Sequence, residues 1–162
     1  MESARGHRAA TGHCLWWNLL EEECRDGRRL VAENAGFSAV VPYYARWPYE
    51  VHVYARRHLG TLAQFSRDEE QELAAILQRL LLKYDNLFGF PLPLMMVMHQ
   101  APVNDPAGAQ YPEWHFHVEF YPPHRSREKL KYLASVETGS GMFINDTAAE
   151  EKAAELREAE PL

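Results

Sequence analysis

The chain has 162 residues, enough for one domain of ordinary size. Its composition, 46% hydrophobic and 25% charged, is globular and argues against disorder except at the ends. A net charge of −6 argues against a phosphate-backbone footprint and so against a nucleic-acid partner, but a nucleotide needs only a few local donors.

Cys14 and Cys24 match no zinc-pair spacing and make no disulfide framework, as expected of free thiols in a reducing cytoplasm. No apolar run approaches the roughly 20 residues of a membrane span. No hydrophobic signal core follows the first residues, Met-Glu-Ser-Ala-Arg-Gly-His-Arg. The expected location is cytoplasmic, with no membrane partner.

Thr11 to Cys24 reads as a short helix, with Leu15, Trp16, Leu19 and Leu20 at helical spacing and Asp26-Gly27 as its stop. Arg29–Asn34 and Phe37–Tyr43 read as strands joined around Gly36, and Glu50–Ala55 as a third. Ser66 to Leu87 is the clearest helix. Ser66 and Glu69 form a capping box, and Leu73, Ile76, Leu77, Leu80 and Leu81 recur at core-facing intervals. Leu92–His99 and Trp114–Tyr121 are two further strands, separated by a Pro/Gly/Asn loop. Lys129–Leu133 reads as a short helix, Glu137–Ile144 as irregular, and Ala148–Glu158 as a final helix capped by Thr147. This order predicts an α+β fold, a mainly antiparallel sheet with helices packed on it.

The chemistry-bearing stretch is Glu113-Trp114-His115-Phe116-His117-Val118-Glu119-Phe120-Tyr121. Strand alternation puts Trp114, Phe116, Val118 and Phe120 on a core face and His115, His117 and Glu119 on the other. His99 ends the neighbouring strand. If the two strands pair, His99 reaches His117 and Glu119, and two histidines with a carboxylate suit zinc or ferrous iron. The same alternation fits a solvated polar strand face, so spacing leaves both readings open. His52 lies on a polar strand face, and His7, His13, His58 and His124 have no partner at metal spacing. All five read as surface or packing residues.

Five segments, in order, resemble the C-terminal domain of the galactose-1-phosphate uridylyltransferase family: Val41-Pro42-Tyr43, Trp47-Pro48-Tyr49-Glu50, Lys83-Tyr84-Asp85-Asn86-Leu87-Phe88, Met98-His99-Gln100-Ala101-Pro102 and His117-Val118-Glu119-Phe120-Tyr121-Pro122-Pro123. The resemblance runs from about Arg28 to Glu158, and the whole chain, 1–162, is expected to be one such domain. It implies a histidine-triad-like fold. It also implies a reaction that passes a uridylyl group from UDP-glucose to galactose 1-phosphate, forming UDP-galactose, through a uridylylated histidine. In the family that histidine lies in a His-Pro-His-Gly-Gln motif of the N-terminal half. These residues contain no His-Pro-His, so the resemblance implies that the catalytic half is absent and that no catalytic residue is encoded here.

The resemblance also implies site residues. His99 and His117 match two metal ligands. Glu119 stands where well-known members have histidine, and Glu2 falls near the fourth ligand, a glutamate. His115 has no ligand counterpart and reads as a polar strand residue. Lys131 and Glu137 match the nucleotide-sugar segment by identity. Tyr132 keeps an aromatic ring there, and Val136 departs from tyrosine. The implied partners are UDP-glucose or UDP-galactose, a hexose 1-phosphate, and an N-terminal half or a second copy. Trp16, Trp17 and Tyr44 are expected to form an apolar surface that such a partner covers. The alternative reading is a stand-alone histidine-triad nucleotide hydrolase, with His117 as nucleophile in His115-Phe116-His117-Val118-Glu119. Glu119 in the third position and the following Tyr121-Pro122-Pro123 weigh against it.

Overall fold

The computed structural model describes residues 2–102, 104 and 111–160; most of the expected Pro/Gly/Asn loop lies outside the described residues. Two helices, α1 (Glu2–Thr11) and α2 (Leu15–Asp26), precede three strands, β1 (Leu30–Glu33), β2 (Phe37–Val40) and β3 (Val51–Ala55). The long helix α3 (Arg67–Phe88) leads to β4 (Met95–His99) and β5 (His117–Tyr121). A small hairpin, β6 (His124–Ser126) and β7 (Lys129–Leu130), then leads to α4 (Ser135–Ser140) and α5 (Ala149–Glu158). The first five strands form one antiparallel sheet in the order β1-β2-β3-β5-β4. The α+β expectation holds.

Local chemistry explains most boundaries. Ser66 Oγ accepts from the Glu69 backbone N–H at 3.2 Å, and the Glu69 carboxylate accepts from the Ser66 N–H at 2.8 Å. That reciprocal cap starts α3 as the sequence predicts. Gly27, at φ 71°, ends α2 and donates its N–H to the Glu23 carbonyl at 2.9 Å.

Four helix assignments need correction. The predicted helix over Thr11–Cys24 begins only at Leu15, and a separate helix ends at Thr11, because Gly12 takes a left-handed φ of 78° and Cys14 is extended. Lys129–Leu133 is not helical; Lys129 and Leu130 pair with β6. Glu137 to Ser140 belongs to α4 rather than to an irregular segment. The α5 cap position is Ala148, while the Thr147 hydroxyl is spent on Asn145 Oδ1 at 2.8 Å.

Alternation along the strands divides the sheet into two faces. Phe37, Ala39, Val51, Val53, Val118 and Phe120 point to one, where Leu73, Ile76, Leu80 and Tyr84 of α3 and Ala153 and Leu156 of α5 close the core. Lys83, fully buried, donates to the Arg157 carbonyl at 2.9 Å and to Glu160 at 2.7 Å, tying α3 to the end of α5. The opposite face carries Val40, His52, Tyr54, His117 and Glu119. It is not the solvated surface that its polarity predicts, for α2 lies over it with Leu20 and Trp16 against Val40 and Tyr54.

Trp16 and Trp17 are accordingly half-buried rather than an open patch, although Tyr44 is 46% exposed. Trp114 departs from the alternation that Phe116, Val118 and Phe120 obey. It follows a turn closed by its N–H to the Tyr111 carbonyl at 2.9 Å, ahead of β5. Its ring therefore meets Trp16 at 4.8 Å on the α2 side, outside the α3 core. Among the described residues, no helix is long and apolar enough to cross a membrane.

Candidate metal centre

Strand pairing brings the site residues together. In the β3–β5 register His52 stands opposite Glu119 and Tyr54 opposite His117; in the β4–β5 register His99 stands opposite His117. Directly opposed side chains on one face start about 5 Å apart at Cβ, within reach of a shared ligand.

His99, His117 and Glu119 each offer a ligand atom, and these atoms lie within 4.8 Å of one another. His99 Nε2 is 3.1 Å from Glu119 Oε2, and His117 Nε2 is 3.4 Å from Glu119 Oε1. Ligand atoms at ordinary zinc distances in a tetrahedral shell are separated by about 3.4 Å, so the spacing fits one cation. The two imidazoles stack with centroids 4.7 Å apart. Glu2, the fourth ligand implied by resemblance, is exposed in the first turn of α1 and is not in this group.

The hydrogen bonding prepares His117 as a ligand. Its Nδ1 faces the His115 carbonyl at 2.8 Å, and a carbonyl only accepts, so Nδ1 carries the proton. Burial pushes the His117 pKa down and keeps the ring neutral, against the opposing pull of Glu119. Nε2 is then a lone pair aimed at a carboxylate oxygen. Two acceptors that face one another inside a protein call for a cation between them. On its other oxygen Glu119 accepts from the Tyr121 hydroxyl, and the Arg46 guanidinium lies 3.9 Å away.

His115 is not the half-exposed strand residue that the sequence implies. It is fully buried, with its Nε2–H donating to the Ala55 carbonyl at 2.8 Å and its ring stacked on His58 at 5.3 Å. Burial holds its pKa down at about 4. His52, expected at the surface, is also buried, at 2% exposure. The signal for it was present in the Glu50-Val51-His52-Val53-Tyr54 alternation. What the sequence could not supply was the pairing of β3 with β5.

The Lys131–Glu137 segment forms a separate cluster. Glu137 accepts from the Ala134 N–H at 2.8 Å and the Ile144 N–H at 3.1 Å, and lies 3.1 Å from Lys131 Nζ. Lys131 also donates to the carbonyls of Arg46 and Ile144. With Arg125, Tyr132, Ala134, Ile144 and Asp146 the pair lines a cavity of about 180 Å³, into which the 80%-exposed Tyr132 opens. Val136 is half-buried on α4. The charged ends of Lys131 and Glu137 thus hold their loop as well as line the cavity.

The Ala134 and Ile144 N–H groups, helped by Lys131, lower the Glu137 pKa to about 2. A carboxyl near 4.3 when unfolded and depressed when folded contributes stability above its unfolded pKa and loses it as pH falls toward the folded one. Glu137→Gln should therefore flatten the acid limb of the stability curve between about pH 4.3 and 2. Chemical denaturation across that window reads the slope, and an unchanged limb would show that these bonds do not persist in solution.

Comparison with known proteins identifies the family. The sequence model of the family described as galactose-1-phosphate uridyl transferase, C-terminal domain, matches residues 1–160, extending upstream of the resemblance read from about Arg28. A galactose-1-phosphate uridylyltransferase of Thermotoga maritima is 48% identical over 147 residues, covering 91% of this chain and 45% of that protein. One of Saccharomyces cerevisiae is 39% identical, covering 88% of this chain and 39% of that protein. The chain thus spans less than half the length of these curated relatives. A solved uridylyltransferase superposes with a TM-score of 0.88 at 36% identity, over 98% of this chain and 49% of that one. A zinc-bound histidine triad protein of Mycobacterium smegmatis shares the fold, with a TM-score of 0.56 at 17% identity, over 90% of this chain and 91% of that one. Matched along nearly its whole length, the chain belongs to the galactose-1-phosphate uridyl transferase C-terminal domain family.

Proposed function

We propose that this chain is the metal- and nucleotide-sugar-binding half of a UDP-glucose–hexose-1-phosphate uridylyltransferase, and that it acts only beside a half that supplies the nucleophile. One observation carries the reading: His99, His117 and Glu119 converge with His117 locked in the ligating tautomer. The donor set, two imidazole nitrogens and a carboxylate, suits zinc or ferrous iron. The ion's role is structural. His99 on β4 and His117 and Glu119 on β5 would hold it, and it would supply the Glu119 carboxylate with a counter-charge. Lys131 and Glu137, with Tyr132 and Val136 beside them, are the groups offered to the nucleotide sugar: an ammonium for phosphate oxygens and a carboxylate for sugar hydroxyls. The cytoplasm is the expected compartment.

The hydrolase alternative is weaker. A nucleophilic His117 has to reach a phosphorus atom, yet its ring is 2% exposed, stacked on Trp16 and His99, with Nε2 on Glu119.

The test is elemental analysis of the purified chain, with zinc or iron titrated into metal-stripped protein. About one equivalent, held against dialysis, is expected. A chain that takes up neither ion ends the reading.

A further inference from the structure

The residue beside the cluster that the family resemblance does not assign is His52. Glu50 and His52 are two apart on one face at the start of β3, and both are sealed from solvent, at 0% and 2% exposure. Glu50 Oε2 accepts the N–H groups of Arg46 and Trp47, at 2.7 and 3.1 Å. Glu50 Oε1 lies 2.9 Å from His52 Nε2. An ionised carboxylate only accepts, so Nε2 carries the proton. The remaining nitrogen, Nδ1, accepts from the Tyr54 hydroxyl at 3.0 Å. The imidazole is thus fixed at both nitrogens by buried partners.

That fixed N–H also lies near Glu119, whose Oε1 is 3.6 Å from His52 Nε2. Its other neighbour, His117 Nε2 at 3.4 Å, presents a lone pair, because His117 donates through Nδ1. Among the described residues His52 therefore supplies the N–H dipole beside this oxygen. The contact is longer than a hydrogen bond and shares a donor already given to Glu50, which suits a group that orients the carboxylate without holding it shut.

We propose that His52, clamped by Glu50, is the positioning residue that turns the Glu119 carboxylate toward His99 and His117 for metal binding. The role rests on the metal reading above. Ligating carboxylates are commonly fixed by such partners, whose loss weakens metal binding by about 10–100-fold. A direct ligand role fits less well: Nε2 has its proton committed to Glu50, and His52 lies outside the group whose ligand atoms come within 4.8 Å of one another.

The experiment measures zinc and cobalt(II) affinity of the 162-residue chain by competition with a chromophoric chelator, for wild type, His52→Leu and His52→Gln. His52→Leu should weaken both ions about 10–100-fold. At saturating cobalt its absorption spectrum should match wild type, since the ligands are unchanged. His52→Gln, which restores an N–H, should recover most of the affinity. Unaltered affinity in His52→Leu overturns the proposal. A changed cobalt spectrum at saturation overturns it in favour of a ligand. A loss that glutamine does not repair, with a lowered metal-free Tm, reduces His52 to packing. Wild type that binds neither ion overturns the metal centre itself, and with it this role.

Discussion

His99→Ala with His117→Ala should leave the chain with background metal only, where the wild type holds about one equivalent. The affinity loss should exceed the roughly 10–100-fold that follows removal of a supporting partner, because two of the three ligands go. Stability gives a second readout. A ligand at a hundred times its Kd stabilises the folded state by about 2.7 kcal/mol. For a domain of this size that is a Tm rise on the order of 5–10 °C, expected in the wild type and lost in the double variant.

Truncating His117 also removes a buried ring stacked on Trp16 and His99, at a cost on the order of 2–5 kcal/mol by analogy with other large core side chains. His99→Ala alone is the cleaner companion, since that side chain is 32% exposed on the outer strand. It should fold like wild type and still lose most of its metal. Unchanged metal content in the double variant would remove His99 and His117 from the site.

The sequence carried the site unevenly, for physical reasons. The α3 boundaries were legible because Ser66 and Glu69 write their cap into a four-residue window. The core face of β5 was legible because period-2 alternation is local, and Phe116, Val118 and Phe120 are fully buried as expected. The opposite face was misjudged because polarity was equated with exposure. Whether a polar face meets water depends on what packs over it, and α2 arrives from 90 residues or more away in the chain. The same non-local term hid His52: its strand and face were readable, but its neighbour Glu119 is fixed only by the β3–β5 pairing. Trp114 failed for the converse reason, since a turn at Tyr111 breaks the alternation before the strand begins.

By itself the chain should turn over UDP-glucose and galactose 1-phosphate no faster than background. Uridylyl transfer through a covalent intermediate needs an activated nucleophile with an open approach to phosphorus. The family's His-Pro-His segment is not in these residues. The histidine best placed to replace it, His117, has Nδ1 bound to a carbonyl and Nε2 turned onto a carboxylate. Supplying the N-terminal half in trans should raise turnover from background to a measurable rate. The contact for that half is expected along β4. Among the described residues this strand pairs on one side only, and its Met95, Met96, Val97 and Met98 are 40–49% exposed, so it offers an apolar edge of the kind that partners cover. Met96→Lys should then impair complementation while leaving metal content intact, because its side chain lies outside the cluster. Full turnover by the chain alone, abolished by His117→Ala, would promote His117 to nucleophile and make the domain a self-sufficient enzyme.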